Sequence, residues 1–118
     1  MSIERLHVGP RMSQVVIHDK TVYLAGQVSS DAHGKSVAEQ TREILATIDA
    51  LLREAQTDKT RLLSATIWLT DMASFPEMNR EWEQWVAPGA APARATVLSP
   101  ELAGSDYKIE IGIIAARP

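Results

Sequence analysis

The stretch SVAEQTREILATIDALLREA, residues 36–55, decides the fold, because it carries the clearest periodicity in the chain. Its core-type side chains recur at steps of three and four residues, which is the period of an α-helix with one apolar face. These are Val37, Thr41, Ile44, Leu45, Ile48, Leu51, Leu52 and Ala55. Ser36, followed three residues later by Glu39, is typical of a capping box. We therefore predict a helix that begins after Ser36 and packs one face against a core.

The residues before this helix predict a β-hairpin. SQVVIH (13–18) and TVYLAGQV (21–28) are rich in β-branched side chains, and Asp19-Lys20 separates them. Such a break between two apolar runs indicates a turn that joins two antiparallel strands. SSDAHGK, which follows, predicts a loop.

The residues after the helix predict three more strands and a second helix. RLLSATIWL (61–69), ARATVLS (93–99) and YKIEIGIIAA (107–116) are typical of strands. Between the strands predicted at 61–69 and 93–99, an apolar stripe predicts an amphipathic helix. This helix starts with a Ser74–Glu77 capping box and ends at APGAAP. The members of the stripe are Phe75, Met78, Trp82, Trp85 and Val86. We predict one domain, residues 1–118, of the α+β class, in the order β-β-α-β-α-β-β, with both helices on one face of the sheet.

Strand alternation assigns side chains to the two faces of this sheet. In the last strand, the set that contains Ile109, Ile111 and Ile113 faces the helices, and the set that contains Glu110, Gly112 and Ile114 faces away. We expect Trp68 or Tyr23 on the same open face, and a partly apolar face of this kind is typical of a subunit interface. Alternation also predicts that Ala95 and Val97 point inward and that Arg94 and Thr96 point outward. Arg94 would then share the open face with Glu110, unless the strand slips by one residue and reverses every side.

Composition narrows the function classes. The 118 residues include 12 basic and 15 acidic ones, a net charge of -3 without like-charged runs, which is a poor basis for binding nucleic acid or an anionic membrane. Without cysteine, the chain has no disulfides or thiolate chemistry. His7, His18 and His33 lack metal-ligand spacing. We expect no metal site from these residues. We also expect a cytoplasmic location, because no segment is typical of a signal peptide or a membrane span.

Arg94 poses the main chemical question. A guanidinium has a permanent charge and five donors, so a semi-buried one needs a carboxylate, a phosphate or a bound anion. From the residues alone, Arg94 either forms a salt bridge with Glu110 at a subunit interface or holds a ligand from solution.

Four segments together resemble the Rid (YjgF-like) family of enamine/imine deaminases. They are PARATV, KIEIGIIA near the C-terminus, AGQVS after the second predicted strand, and FPEMNREWEQW, which contains Asn79. The resemblance implies a chorismate-mutase-like sandwich and a homotrimer with ligand clefts between subunits. It also implies hydrolysis of 2-imino or 2-enamino acids to 2-keto acids and ammonia, without a cofactor. Arg94 would bind the substrate carboxylate and Glu110 would position the attacking water.

The same resemblance suggests further contacts and three departures from the family pattern. Asn79 would bind substrate, unless it is only a helix-surface amide, and backbone groups near Gly26 and Ala95 would orient the imine. Ala25 replaces a usual serine, Arg11 replaces a common tyrosine and adds a second cation, and Gly112 replaces a frequent glutamate. These changes keep two alternatives open. One is a non-catalytic trimeric protein that binds small carboxylates; the other is an interaction module that uses the open face.

Overall fold

The computed structural model describes residues 2–118, which form six strands and two α-helices. The strands are β1 (Ile3–Val8), β2 (Ser13–His18), β3 (Thr21–Gln27), β4 (Leu62–Leu69), β5 (Ala93–Leu98) and β6 (Ile109–Ala116). The helices are α1 (Val37–Glu54) and α2 (Phe75–Trp85), and short 3-10 turns precede β4 and α2. No helix in residues 2–118 has the length and apolar character needed to span a membrane.

All six strands form one sheet in the order β1-β2-β3-β6-β4-β5, in which only the β4–β5 pair is parallel. This confirms the α+β class, but β1 is a strand that the sequence analysis missed. It pairs with β2 through its backbone, with Leu6 opposite Val15, and a turn closed by Gly9 N–H and Met12 C=O at 2.8 Å joins the two strands. Most β1 side chains are exposed, so the strand carries little of the apolar alternation that predicts a strand.

Both helices cover the same face of the sheet, as predicted. The inward side chains of β6, including Ile109, Ile111 and Ile113, are almost fully buried against the helices. The whole apolar stripe predicted for α1 is buried, and the Ser36–Glu39 capping box is present at its start. The core therefore lies between α1, α2 and one face of the sheet.

The start of α2 differs from the prediction. Ser74 precedes the helix, but its hydroxyl donates to Asp71 C=O at 2.6 Å and does not cap the helix. Glu77 instead accepts from the backbone N–H of Ala38 at 2.8 Å. The Ser74–Glu77 capping box is thus wrong, because the Glu77 carboxylate satisfies an unpaired donor in the first turn of the neighbouring helix α1.

A buried glutamine fixes the loops that lead into α1 and β6. Gln40 Nε2 lies 3.1–3.3 Å from the carbonyl oxygens of Ala32, Lys35 and Asp106, and its Oε1 accepts from Lys108 N–H at 3.0 Å. The side chain is fully buried, so its polar atoms depend on these partners. It holds the residues that enter β6 in register with α1.

Candidate functional site

Arg94 lies on the helix side of the sheet. The parallel register sets it opposite Ala65, and Thr96 opposite Ile67, both of which are buried under the helices. Ala95 and Val97 are exposed and take the open face. The predicted orientation of this strand was therefore wrong by one residue, and Arg94 does not share a face with Glu110.

The physical reason for this reversal is an aromatic surface on α2. The guanidinium carbon of Arg94 lies 5.7 Å from the ring centre of Phe75 and 5.6 Å from that of Trp82. Both distances are in the range of cation–π attraction, and the aliphatic stem of arginine can pack on apolar surface while the charged end stays accessible. Strand alternation alone cannot detect such a surface, because the rings come from a helix distant in sequence.

The guanidinium of Arg94 forms no hydrogen bond and no ion pair with any residue from 2 to 118. Partial burial lowers the pKa of its guanidinium, and the charge of Glu83 opposes that shift. The side chain stays charged, since arginine is not deprotonated in proteins. A half-buried cation with free donors is suited to an anion that offers two oxygens.

Asn79 lies on the same aromatic surface. It stands four residues after Phe75 and three before Trp82 on α2, so the helical period places it on one stripe with both rings. The residue is half-buried. The structure thus brings Asn79 and Arg94 to one side of the molecule, at the β5 edge.

Glu110 lies on the open face of β6, and Gly26 of β3 is beside it. A Cβ atom at residue 26 would overlap Oε2 of Glu110 and come within 3.0 Å of its carboxyl carbon. The carboxylate of Glu110 also forms no hydrogen bond or ion pair with any residue from 2 to 118. Burial raises the pKa of the Glu110 carboxyl above its ordinary value. Gly26 and Glu110 are therefore neighbours and form one unit, a proximity that the sequence does not predict.

Trp68 is the cross-strand neighbour of Glu110 on the open face. Glu110 pairs with Trp68 of β4, and Tyr23 of β3 pairs with Ile114 of β6, which confirms that both aromatic residues share this face. The Trp68 ring lies over Gly112, where a Cβ would be 3.4 Å from Cζ3 and 3.5 Å from Cη2.

Two other expected contacts, Arg11 and Ala95, do not lie beside the Arg94 guanidinium. Arg11 is exposed in the turn between β1 and β2, whereas Arg94 lies on β5, at the opposite edge of the sheet. Ala95 is next to Arg94 in sequence but faces the other side. Sequence reasoning gave no role to Thr96, whose hydroxyl is buried on the Arg94 side without a hydrogen-bond partner among the described residues. Across residues 2–118, no three potential metal ligands of the His, Cys, Asp or Glu type lie together.

Residues 3–117 match the family described as Endoribonuclease L-PSP. The chain belongs to this family. A RutC family protein of Haemophilus ducreyi is 45% identical over 114 residues, which are 97% of this chain and 96% of the relative. A solved member of the YjgF protein family from Neisseria meningitidis superposes with a TM-score of 0.95 at 40% identity, covering 100% of this chain and 97% of the other.

The YjgF-like resemblance is therefore confirmed, and with it the chorismate-mutase-like fold. One more distant member of the family has a named reaction. A bovine protein named 2-iminobutanoate/2-iminopropanoate deaminase is 36% identical over 93 residues, which are 75% of this chain and 66% of the relative.

Proposed function

We propose that this protein is a cytoplasmic homotrimer that hydrolyses 2-imino or 2-enamino acids to 2-keto acids and ammonia. The observation that carries the proposal is Arg94, a half-buried cation that rests on Phe75 and Trp82 with its donors unpaired in residues 2–118. Membership in a family that includes a named imine deaminase supports the reaction type.

Arg94 binds the carboxylate of the substrate. Two parallel N–H···O bonds between a guanidinium and a carboxylate fix both position and orientation. Asn79, on the same stripe of α2, adds an amide donor or acceptor beside the bound acid. With the carboxylate held, the adjacent C=N carbon is fixed in space, which is catalysis by orientation.

The site is completed by a second copy of the chain. One protomer places Arg94 and Glu110 on opposite faces of its sheet, so it cannot present both to one small molecule. In the proposed trimer, Arg94 and Asn79 of one protomer face the Gly26–Glu110 unit of its neighbour across a cleft. Backbone groups near Gly26 and Ala95 orient the imine nitrogen, and Arg11 adds positive charge at the rim.

Glu110 activates water. Its carboxylate takes a proton from a water molecule as the water oxygen bonds to the C=N carbon, and it passes that proton to the nitrogen, which gives a carbinolamine. Glu110 then moves the hydroxyl proton of the carbinolamine to the nitrogen, the C–N bond breaks, and the 2-keto acid and ammonia leave. Burial of Glu110 raises its pKa toward the pH at which it works, and a general base of this kind contributes roughly 10²–10⁴-fold.

A trapping assay tests the proposal. An amino-acid oxidase generates a 2-imino acid in solution, and semicarbazide traps it, so faster hydrolysis lowers the yield of adduct. The wild type should lower that yield, and Arg94→Ala should leave it at the level without protein. Arg94→Lys is the matched variant: it retains the charge but loses the bidentate grip, and it should retain little activity.

A 2-keto acid titration by calorimetry separates hydrolysis from binding alone. Saturable binding that Arg94→Ala abolishes, without any fall in adduct yield, would replace the enzyme with a carboxylate-binding protein. An absence of both binding and turnover would refute both readings.

A further inference from the structure

The open face beside Glu110 is lined mainly by small or apolar residues, and none of those next to the carboxyl is charged. Strand register and the contact with Gly26 place six residues there, on β3, β6, β4 and β5. They are Gly26, Gly112, Thr66, Trp68, Ala95 and Val97. Glu110 is thus a single carboxylate in surroundings that would not stabilise a second charge.

Trp68 is the largest side chain in this set, and its ring takes the space that a side chain at position 112 would fill. Trp68 and Glu110 start from paired positions on β4 and β6. Their side chains then diverge, since the carboxyl leans toward Gly26 and the ring lies over Gly112. The indole therefore forms an apolar surface over Gly112, two residues along β6 from Glu110, and it is only half-buried in the described chain.

We propose that Trp68 determines specificity by selecting 2-imino acids with large apolar side chains. This inference rests on the proposed hydrolysis at Glu110. The carbon that water attacks carries three groups: the carboxylate, the nitrogen and the side chain. A water bound to Glu110 must lie close to that carbon, so the substrate side chain meets the surface next to Glu110, which is the Trp68 ring over Gly112. An indole favours aliphatic and aromatic groups over ionised ones.

The test compares kcat/KM for imino acids derived from alanine, leucine and phenylalanine. The wild type should prefer the two larger ones. Trp68→Ala should lower kcat/KM for the larger ones by at least about tenfold, the discrimination expected for one methylene or more in an apolar pocket, and change the alanine-derived value little. Trp68→Phe keeps a smaller ring and should show an intermediate preference. Tyr23→Ala is the control: it removes an aromatic residue from the same face, but opposite Ile114 and away from Glu110. It should leave the preference for the larger imino acids unchanged.

The remaining outcomes are distinguishable. If the wild type hydrolyses no imino acid, the proposed function itself fails. If it hydrolyses all three and Trp68→Ala lowers every value equally, Trp68 is structural and the specificity proposal is overturned. If Trp68→Ala changes the molecular mass in light scattering, the ring belongs to a contact between copies, and the proposal is again overturned. Circular dichroism of Trp68→Phe and Trp68→Ala identifies any loss of fold.

Discussion

Arg94 and Glu110 lie on opposite faces of one sheet, on strands β5 and β6 that are separated only by β4. Arg94 is opposite Ala65, under the helices, while Glu110 is opposite Trp68, on the open side. Neither the Arg94 guanidinium nor the Glu110 carboxylate has a hydrogen-bond or ion-pair partner within residues 2–118. If both contact one substrate, they must come from different protomers.

This relationship predicts that two inactive variants can complement each other. Arg94→Ala retains Glu110, and Glu110→Gln retains Arg94, so a mixed assembly contains some clefts with both intact groups. Equal mixing in a cyclic trimer should restore about a quarter of the wild-type sites, because each cleft draws one residue from each neighbour at random. The measurement is the trapping assay on refolded mixtures, with each variant alone as the control. A mixture no more active than its components, in a confirmed mixed assembly, would contradict a shared site.

Gly26→Ala should impair turnover more than binding. The added Cβ would overlap Oε2 of Glu110, so the carboxyl must move away from its present position. Misplacement of a catalytic group by about 1 Å can cost on the order of 10²-fold in rate. We expect kcat to fall by at least about tenfold with KM nearly unchanged, because Arg94 still binds the carboxylate. Gly9→Ala is the matched control, since its Cβ would be 3.4 Å from Met12 O and would not come within 4 Å of Glu110. Equal kcat values for the two variants would show that the Glu110 position does not matter.

Most of the fold was predictable because its elements carry strong local patterns. The α1 stripe and the alternation in β6 both gave the correct buried face, and the Ser36–Glu39 box marked the start of α1. β1 was missed because an edge strand held mainly by backbone pairing needs few apolar side chains. The α2 capping box failed because Glu77 has a partner on another helix, which a local motif cannot indicate.

The site was harder to predict than the fold because it depends on register and on distant contacts. Alternation placed Arg94 outward, since it assigns apolar residues to the core and treats a cation as exposed. The structure places it inward because Phe75 and Trp82 offer a surface that stabilises a cation. The proximity of Gly26 to Glu110 depends on the irregular pairing of β3 with β6 between Leu24 and Gln27, which no short motif specifies.

Glu110→Gln should increase the free energy of unfolding over that of the wild type more near pH 7 than near pH 4. Burial raises the folded-state pKa of this carboxyl above its ordinary value of 4.5, so the folded protein holds the proton more tightly than the unfolded chain. Wild-type stability should therefore fall as pH rises from 4.5 through the raised pKa, and glutamine removes that loss. Urea unfolding of both proteins near pH 4 and near pH 7 gives the comparison. A wild-type advantage near pH 7 would mean that Glu110 gains a cationic partner on assembly.

Glu43→Gln should lower stability near pH 7, in contrast to Glu110→Gln, because the fold stabilises the charged form of the Glu43 carboxylate. Glu43 accepts from Lys35 Nζ at 2.8 Å and from the backbone N–H and hydroxyl of Ser30 at 2.8 and 2.7 Å, which lowers its pKa from 4.5 to about 2. Its contribution to stability is complete above the unfolded pKa of 4.5 and is lost as pH falls from there toward about 2. The variant should therefore unfold at lower urea than the wild type near pH 7, with a difference that shrinks in acid. Glu54→Gln, which changes a pair with His7 in which both side chains are about half exposed, is the control and should change the midpoint little near pH 7. If the urea midpoint of Glu43→Gln is lower than that of the wild type by the same amount at every pH, the side chain acts through packing and not through its charge.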